Sequence, residues 1–223
     1  MQATAVETHA IDFNEEQHVY RVGGVIRPSV TQALKDAGLI DTAWYTEEAR
    51  LRGKAVHAAT QFLDDDDLDW DTVLPQYCGF VHAWEQFRRD SGFRISCDSE
   101  NRPFLEYRLY HAAFGYCGTL DRLGMIGSSE YLIDLKTGDP EGWHGYQLAG
   151  YSQCLPDALA RRRMTVHLKA NGRYATREYG LDRFAHDWQV FSASVVVWHA
   201  RNRKRSSISH GLKQTGSSYI SAA

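Results

Sequence analysis

Two charged residues, Asp134 and Lys136, interrupt the apolar run YLIDLKTG at residues 131–138. Charges are rarely buried unless paired or bound to a metal. Tyr131, Leu132, Ile133 and Leu135 read as a short buried strand that Thr137-Gly138 closes. Residues two apart on a strand share a face, so Asp134 and Lys136 project together while Ile133 and Leu135 turn into the core. The pair is either a structural ion pair at a strand end or part of a site. Asp121, thirteen residues upstream in GTLDRLG, bears on that choice. The segment GMIGSS, residues 124–129, reads as the turn of an antiparallel hairpin that lets Asp121 approach Asp134. Two close carboxylates repel and raise each other's pKa. A divalent cation resolves that repulsion, and Mg2+ accepts one or two carboxylates together with waters and phosphate oxygens. A lysine beside it can hold the attacking water or meet the scissile phosphate. Such a set suits phosphodiester hydrolysis.

The pattern Asp121, then Asp134-Leu135-Lys136, resembles the PD-(D/E)XK nuclease superfamily, with Leu120 where a proline often precedes the first acid. GYQLAGYSQCL places Gln147 and Tyr151 four apart on a helix face and is similar to the Q-x-x-x-Y motif of the RecB-like branch. RGKAVHAATQFL carries His57 in a G-x-x-x-H arrangement like that branch's histidine, and Glu106 stands on the strand before Asp121. RPSVTQAL followed by RGKAVH also resembles the opening of phage and mitochondrial exonucleases of this group. The likeness covers about residues 25–155.

This resemblance implies residue roles. Asp121 and Asp134 would bind Mg2+ or Mn2+, with the Leu135 backbone carbonyl as another ligand. His57 would add a neutral imidazole, so metal binding should weaken as pH falls through about 6 to 7. Lys136 would position the water. Gln147 and Tyr151 would line the cleft and contact DNA or steady Lys136. Glu106 would touch a second metal through water, or only pair with Arg108 or Arg122. The implied activity is metal-dependent, end-dependent DNA exonuclease action in recombination, repair or phage DNA processing. The implied partners are linear DNA ends, duplex or single-stranded, and a single-strand-annealing or recombination protein. Rival readings are an endonuclease or RNA/branched-structure nuclease of the same fold, or a nucleic-acid-binding homologue without chemistry.

The elements that must carry these residues follow from pattern. IDFNEEQHVYRVGGVIRPS predicts two or three short strands turning at Asn14-Glu15 and Gly23-Gly24. Ser29 caps a helix through S-V-T-Q, and Gly38 closes it. A helix over 43–63 has apolar positions Ala43, Trp44, Ala49, Val56, Ala59, Phe62 and Leu63. DDDDLDWD follows as a loop without the glycine and glutamate of a calcium-binding hand. A third helix begins near Pro75 and buries Tyr77, Phe80, Trp84 and Phe87. Strands are expected over 93–98, 103–110, 113–123 and 130–136, and a helix over 143–160. A hairpin then turns at the two-residue signal Asn171-Gly172, and a last helix covers 181–200. This order predicts an α/β, restriction-endonuclease-like core: a central mixed sheet flanked by helices, with an N-terminal hairpin. The division is one nuclease domain over 1–200 and a basic polar tail over 201–223. Within the domain, a helical part over 1–92 carries His57, and the sheet core spans 93–200.

Composition agrees with a globular chain of 223 residues, 43% hydrophobic. No run suggests a membrane span, and the acidic N-terminus lacks the apolar segment of a secretory signal. Cys78, Cys97, Cys117 and Cys154 lie too far apart for a zinc ribbon, a disulfide framework or a clustered iron–sulfur staple. These features predict a reduced cytoplasmic protein. The net charge of -3 hides a gradient: residues 1–99 hold 17 acids and 9 bases, and from Trp188 onward there are five bases and no acid. That basic segment and Arg161, Arg162 and Arg163 are candidate phosphate contacts.

Overall fold

The computed structural model describes residues 10–41 and 46–211. Strands β1 (Ile11–Asn14), β2 (Val19–Val22) and β3 (Val25–Arg27) form a small antiparallel sheet. The β2–β3 turn uses Gly23 and Gly24 at φ +58° and +76°, a backbone that glycine adopts without strain. Helix α1 (Val30–Asp36) starts where Ser29 Oγ accepts from the Gln32 N–H at 3.0 Å. Helix α2 (Glu47–Asp64) is capped by Thr46, with Glu47 and Glu48 in its first turn against the helix dipole. Helix α3 (Pro75–Ser91) starts on Pro75 and stops at Gly92, φ +65°. Residues 42–45, with the expected apolar positions Ala43 and Trp44, lie outside the described residues.

The central sheet contains β4 (Arg94–Ile95), β5 (Leu105–His111), β6 (Tyr116–Ile126), β7 (Ser129–Lys136), β8 (Arg162–Leu168) and β9 (Tyr174–Tyr179). Its order is β4-β6-β7-β8-β9, with β5 sharing the β6 edge with β4. Only β7 and β8 run parallel, joined by a crossover through α4 (His144–Gln153). Helix α5 (Phe184–Gly211) follows β9. The fold is therefore mixed α/β, a central mixed sheet between helices with an N-terminal three-stranded sheet. Among the described residues, no helix is long and apolar enough to cross a membrane.

Period-two alternation on β7 divides two cores. Leu132 joins Val30, Leu34, Leu148 and Phe191 under α1, α4 and α5. Tyr131, Ile133 and Leu135 join Val56, Trp84, Phe87 and Val166 under α2 and α3. β7, paired on both sides, is the strand on which the site is built.

Several expectations need correction. Phe62 is 51% exposed, because α2 turns Val56 and Thr60 inward and Phe62 lies about 200° round from Thr60. The acidic run does not begin as a loop: Asp64 ends α2, and only Asp65 onward leaves it. The helix expected to reach 160 stops at Gln153, ahead of Pro156, which disfavours helix in the residue before it. The β6–β7 turn is tighter than 124–129, because Ile126 already pairs with Ser129. The second hairpin closes on Lys169 and Arg173 instead, making a three-residue loop with Gly172 at φ +80°. Helix α5 runs through residue 211, so part of the expected tail is helical.

The arginines 161–163 are not a phosphate-binding row. Arg161 is 7% exposed and pairs with Glu130 at 2.9 Å. Arg163 is 1% exposed, reaches Asp187 at 3.0 Å and donates to the Gly145 and Gly180 carbonyls. It ties β8 to α4 and α5. Arg162 alone faces solvent, near Glu178 and the Tyr131 hydroxyl.

Candidate metal centre

The site lies where the sheet forks. The β6–β7 ladder ends at Arg122↔Ile133, so Asp121 and Asp134 stand just past the last pair. Beyond it, β6 pairs with β5, and Asp134, Leu135 and Lys136 pair only with Thr165, Val166 and His167 of β8. The Leu135 N–H donates to Asp121 Oδ2 at 2.6 Å across the fork. That bond fixes one oxygen of a carboxyl group that is only 6% exposed.

His57 reaches the fork from α2. Its Nε2–H donates to the Leu135 carbonyl at 3.1 Å; a carbonyl only accepts, so Nε2 carries the proton. Nδ1 then faces Glu106 Oε1 at 3.5 Å and Asp121 Oδ2 at 3.7 Å. One donor atom from each of His57, Glu106 and Asp121 lies within 4.8 Å of the other two. Orientation of a ligating histidine through its far nitrogen is the usual arrangement in metal sites. The Leu135 carbonyl, expected as a ligand, holds that histidine.

Glu106 is held in an unusual way. Its φ is +46°, a left-handed conformation costing about 1–2 kcal/mol for a residue with a Cβ. It sits between the ladder pairs Leu105↔Arg122 and Tyr107↔Leu120 without pairing itself. Its carboxylate accepts from Arg122 Nη1 at 2.9 Å. Arg122 is completely buried, and it also donates to Asp64 Oδ2 at 2.5 Å, the Asp121 carbonyl at 2.8 Å and Thr60 Oγ1 at 3.1 Å. Asp64 in turn accepts from the Trp84 indole N–H and pairs with Arg88. Of the two partners foreseen for Glu106, Arg122 is the one it meets; Arg108 lies over the Phe13 ring.

Lys136 lies beside this cluster. Its Nζ is 2.5 Å from Asp134 Oδ2 and donates to Gln147 Oε1 at 3.0 Å. Gln147 Nε2 donates to the Tyr151 hydroxyl at 3.2 Å, and the ammonium sits 5.1 Å from the Trp143 ring centre. Gln147 and Tyr151 are each 5% exposed, and their polar atoms form a chain ending on the lysine. Gly118 makes room for this chain: a Cβ there would lie 2.6 Å from the Tyr151 ring. Asp134 is not part of the His57, Glu106 and Asp121 group. Its Oδ2 is buried and meets Lys136 as a charge contact without hydrogen-bond alignment.

The electrostatics record the crowding. Burial, with the nearby Asp134 and Glu106 carboxylates, pushes Asp121 up to about 7 despite His57. Burial pulls His57 down, but Asp121 and Glu106 outweigh it and lift the imidazole to about 9. The ordinary histidine range expected from sequence therefore does not apply, and at neutral pH a proton on His57 bridges the two carboxylates. Burial acts to raise Glu106, and His57 and Arg122 hold it below the usual range.

This donor set fits a divalent cation. An imidazole nitrogen and two carboxylate oxygens form a mixed N/O donor set of the kind that divalent metal ions take. Asp121 is raised first by burial and further by the Asp134 and Glu106 carboxylates, and a bound cation would offset both. His57, Glu106 and Asp121 could hold the ion, with Asp134 and Lys136 next to it.

Sequence reasoning missed Asp64 and Trp143 and gave Arg122 only as an alternative. Asp64 had one signal: Val56, Thr60 and Asp64 advance in steps of four along the buried stripe. Trp143 had none, since its role depends on how α4 meets β7. His144 is buried and pushed down to about 2 by burial and then by Lys136.

No family model matches the chain, and no curated protein matches it. Among solved structures, the crystal structure of LHK-Exo in complex with dAMP aligns with a TM-score of 0.36 and 13% identity, over 82% of this chain and 94% of that chain.

Proposed function

We propose that the protein is a divalent-metal-dependent nuclease of the PD-(D/E)XK kind that degrades DNA from an end. One observation carries this reading: His57 Nδ1, Glu106 and Asp121 converge at the sheet fork beside Lys136. A cleft of about 520 Å³ opens there, lined by His57, Lys136, Gly138 and Trp143 among others. Lys136 lines that cleft, and Asp134, which the motif puts on the same strand face, meets it from beneath.

When bound at His57, Glu106 and Asp121, a divalent cation supplies charge stabilisation to the phosphoryl oxygens. Every other part belongs to the chain. Asp134 aims Lys136 by charge contact, and Gln147, fixed by Tyr151, accepts one of its three N–H bonds. A remaining ammonium N–H is free to hold the attacking water or a non-bridging oxygen. The Trp143 ring shields the stem from solvent. For His57 to ligate, its Nδ1 proton would pass to solvent, freeing Asp121 and Glu106 to face the ion.

The test is incubation of the pure protein with end-labelled linear duplex, single-stranded DNA, RNA and closed circular duplex, with and without Mg2+ or Mn2+. Linear DNA should be degraded only with metal, and closed circles should persist. Rapid nicking of circles would replace end-dependence with endonuclease action. Absence of hydrolysis on all four substrates would overturn the proposal.

A further inference from the structure

Helix α2 carries three cations, Arg50, Arg52 and Lys54, one turn or more before His57. Arg50 pairs with Glu47 at 2.5 Å, and Lys54 lies 3.8 Å from Glu15. Arg52 meets no carboxylate among the described residues. Its Nε is buried without an acceptor, and its guanidinium lies 5.7 Å from the Phe80 ring. A buried donor left unpaired costs about 1–3 kcal/mol, so the missing partner needs an explanation. Arg52 lines the same cleft as His57 and Lys136.

Gly53 adds an independent observation. It stands mid-helix, where glycine costs about 1 kcal/mol relative to alanine. Gly79 of α3 shows what an internal reason looks like: a Cβ there would collide with the Ala170 carbonyl. At Gly53 an added Cβ would meet nothing within 4 Å. Among the described residues nothing uses that space, yet Gly53 lines the cleft, four residues before His57 and so on the same helix face.

From these two features we infer a phosphate subsite on α2, resting on the nuclease reading above. Arg52 donates its terminal N–H groups, which meet no carboxylate among the described residues, to a non-bridging oxygen of a phosphodiester flanking the scissile one. Gly53 gives the nucleic-acid backbone room to lie against the helix. An arginine suits this because its planar fork matches two oxygens and it never loses its charge.

The experiment measures anisotropy of a labelled single-stranded oligonucleotide, with Ca2+ replacing Mg2+, over a series of salt concentrations. Wild type, Arg52→Ala, Arg52→Lys and Gly53→Ala are compared, each with its melting temperature. Arg52→Ala should weaken binding about tenfold or more, the loss of a charge-assisted hydrogen bond. It should also flatten the salt dependence by one phosphate contact, about 0.7 in slope. Arg52→Lys should restore the slope but only part of the affinity. Gly53→Ala should melt higher than wild type and yet bind more weakly. An Arg52→Ala variant with wild-type affinity and slope overturns the subsite, as does a Gly53→Ala variant that binds like wild type. Both outcomes leave the nuclease reading intact where the wild type cleaves. A wild type that neither binds nor cleaves removes both.

Discussion

Arg122→Met tests whether the buried network beneath the site is what holds Glu106 in place. Arg122 and Asp64 are both wholly buried and 2.5 Å apart. Removing one partner of such a pair typically costs about 3–5 kcal/mol, and here Arg88 and the Trp84 indole are left to compensate Asp64 only in part. The Asp121 carbonyl and Thr60 hydroxyl also lose a donor, which argues for the upper part of that range. For a chain of this size each kcal/mol moves the melting temperature by about 2–4 °C, so a loss on the order of 10 °C is expected. The pH dependence has a defined sign. Burial holds the folded-state pKa of Asp64 above its unfolded value even with Arg122 present, and removing the cation raises it further. A group of that kind destabilises the fold as pH climbs from its unfolded pKa towards its folded one, because the unfolded chain releases the proton first. The deficit of Arg122→Met should therefore be smallest near pH 4 and grow towards neutrality. Urea unfolding at several pH values measures it. The double variant Arg122→Met with Asp64→Leu should recover part of the loss, since the wholly buried Asp64 carboxylate is gone and only the partly exposed Glu106 and Arg88 lose a partner. A single-variant cost below about 1 kcal/mol, or a double variant no more stable than the single, would refute the reasoning.

Further outcomes follow from the same geometry. Asp121→Asn should raise the apo melting temperature by several degrees at pH 8, since burial lifts the native carboxyl to about 7 and its ionisation above that pH costs stability; differential scanning calorimetry reads it, and added Mn2+ should stabilise this variant less than wild type. Mn2+ affinity should rise as pH increases towards 9, with proton release visible by titration calorimetry in buffers of different ionisation enthalpy, and His57→Ala should lose most of that release. Gln147→Leu should lower the turnover number more than it raises KM, because it frees the Lys136 ammonium without removing it. Gly79→Ala should destabilise by about 2 kcal/mol or more, since α3 must move off the Ala170 carbonyl, and chemical denaturation should show it.

Much of the scaffold was legible because its signals are local. The Ser29 cap, Pro75 at a helix start and the alternation of Tyr131 to Leu135 each depend on a few neighbouring residues. The errors came where distant contacts decide. Asn171-Gly172 signals a turn, but whether its loop has two residues or three depends on the register of β8 with β9. Arg161 and Arg163 look like a basic patch in one dimension, and only the packing of α5 shows that Asp187 claims Arg163. At the site, spacing could put Asp134 and Lys136 on one face and Asp121 on the adjoining strand. It could not say that the ladder ends one pair short of them. Nor could it show that Glu106 takes a left-handed backbone there, since no local rule favours that conformation for glutamate.

Several departures from local rule meet at one place. Glu106 is strained, Asp121 and Asp134 carry crowded charge, Arg52 has an unpaired donor, and Gly53 weakens its helix without a steric reason. All of them line or adjoin the cleft around the sheet fork. Other buried polar atoms also lack partners, such as Ser152 Oγ, Arg163 Nε and the Tyr179 hydroxyl, but these lie on separate elements. Strain of this kind persists only where the surrounding structure over-determines it. Here the determinant is Arg122, whose contacts to Asp64, Glu106, Thr60 and Asp121 join α2, β5 and β6 beneath the fork. A fold selected for stability alone would relax most of these costs with ordinary substitutions: an alanine at Gly53, a glycine at Glu106, an asparagine at Asp121. Each of those changes removes a space on the cleft or a group that meets His57 beside it. The arrangement is therefore best understood as a rigid frame built to present unsatisfied charge, and unsatisfied charge of this composition is what a cation and a phosphodiester together would neutralise.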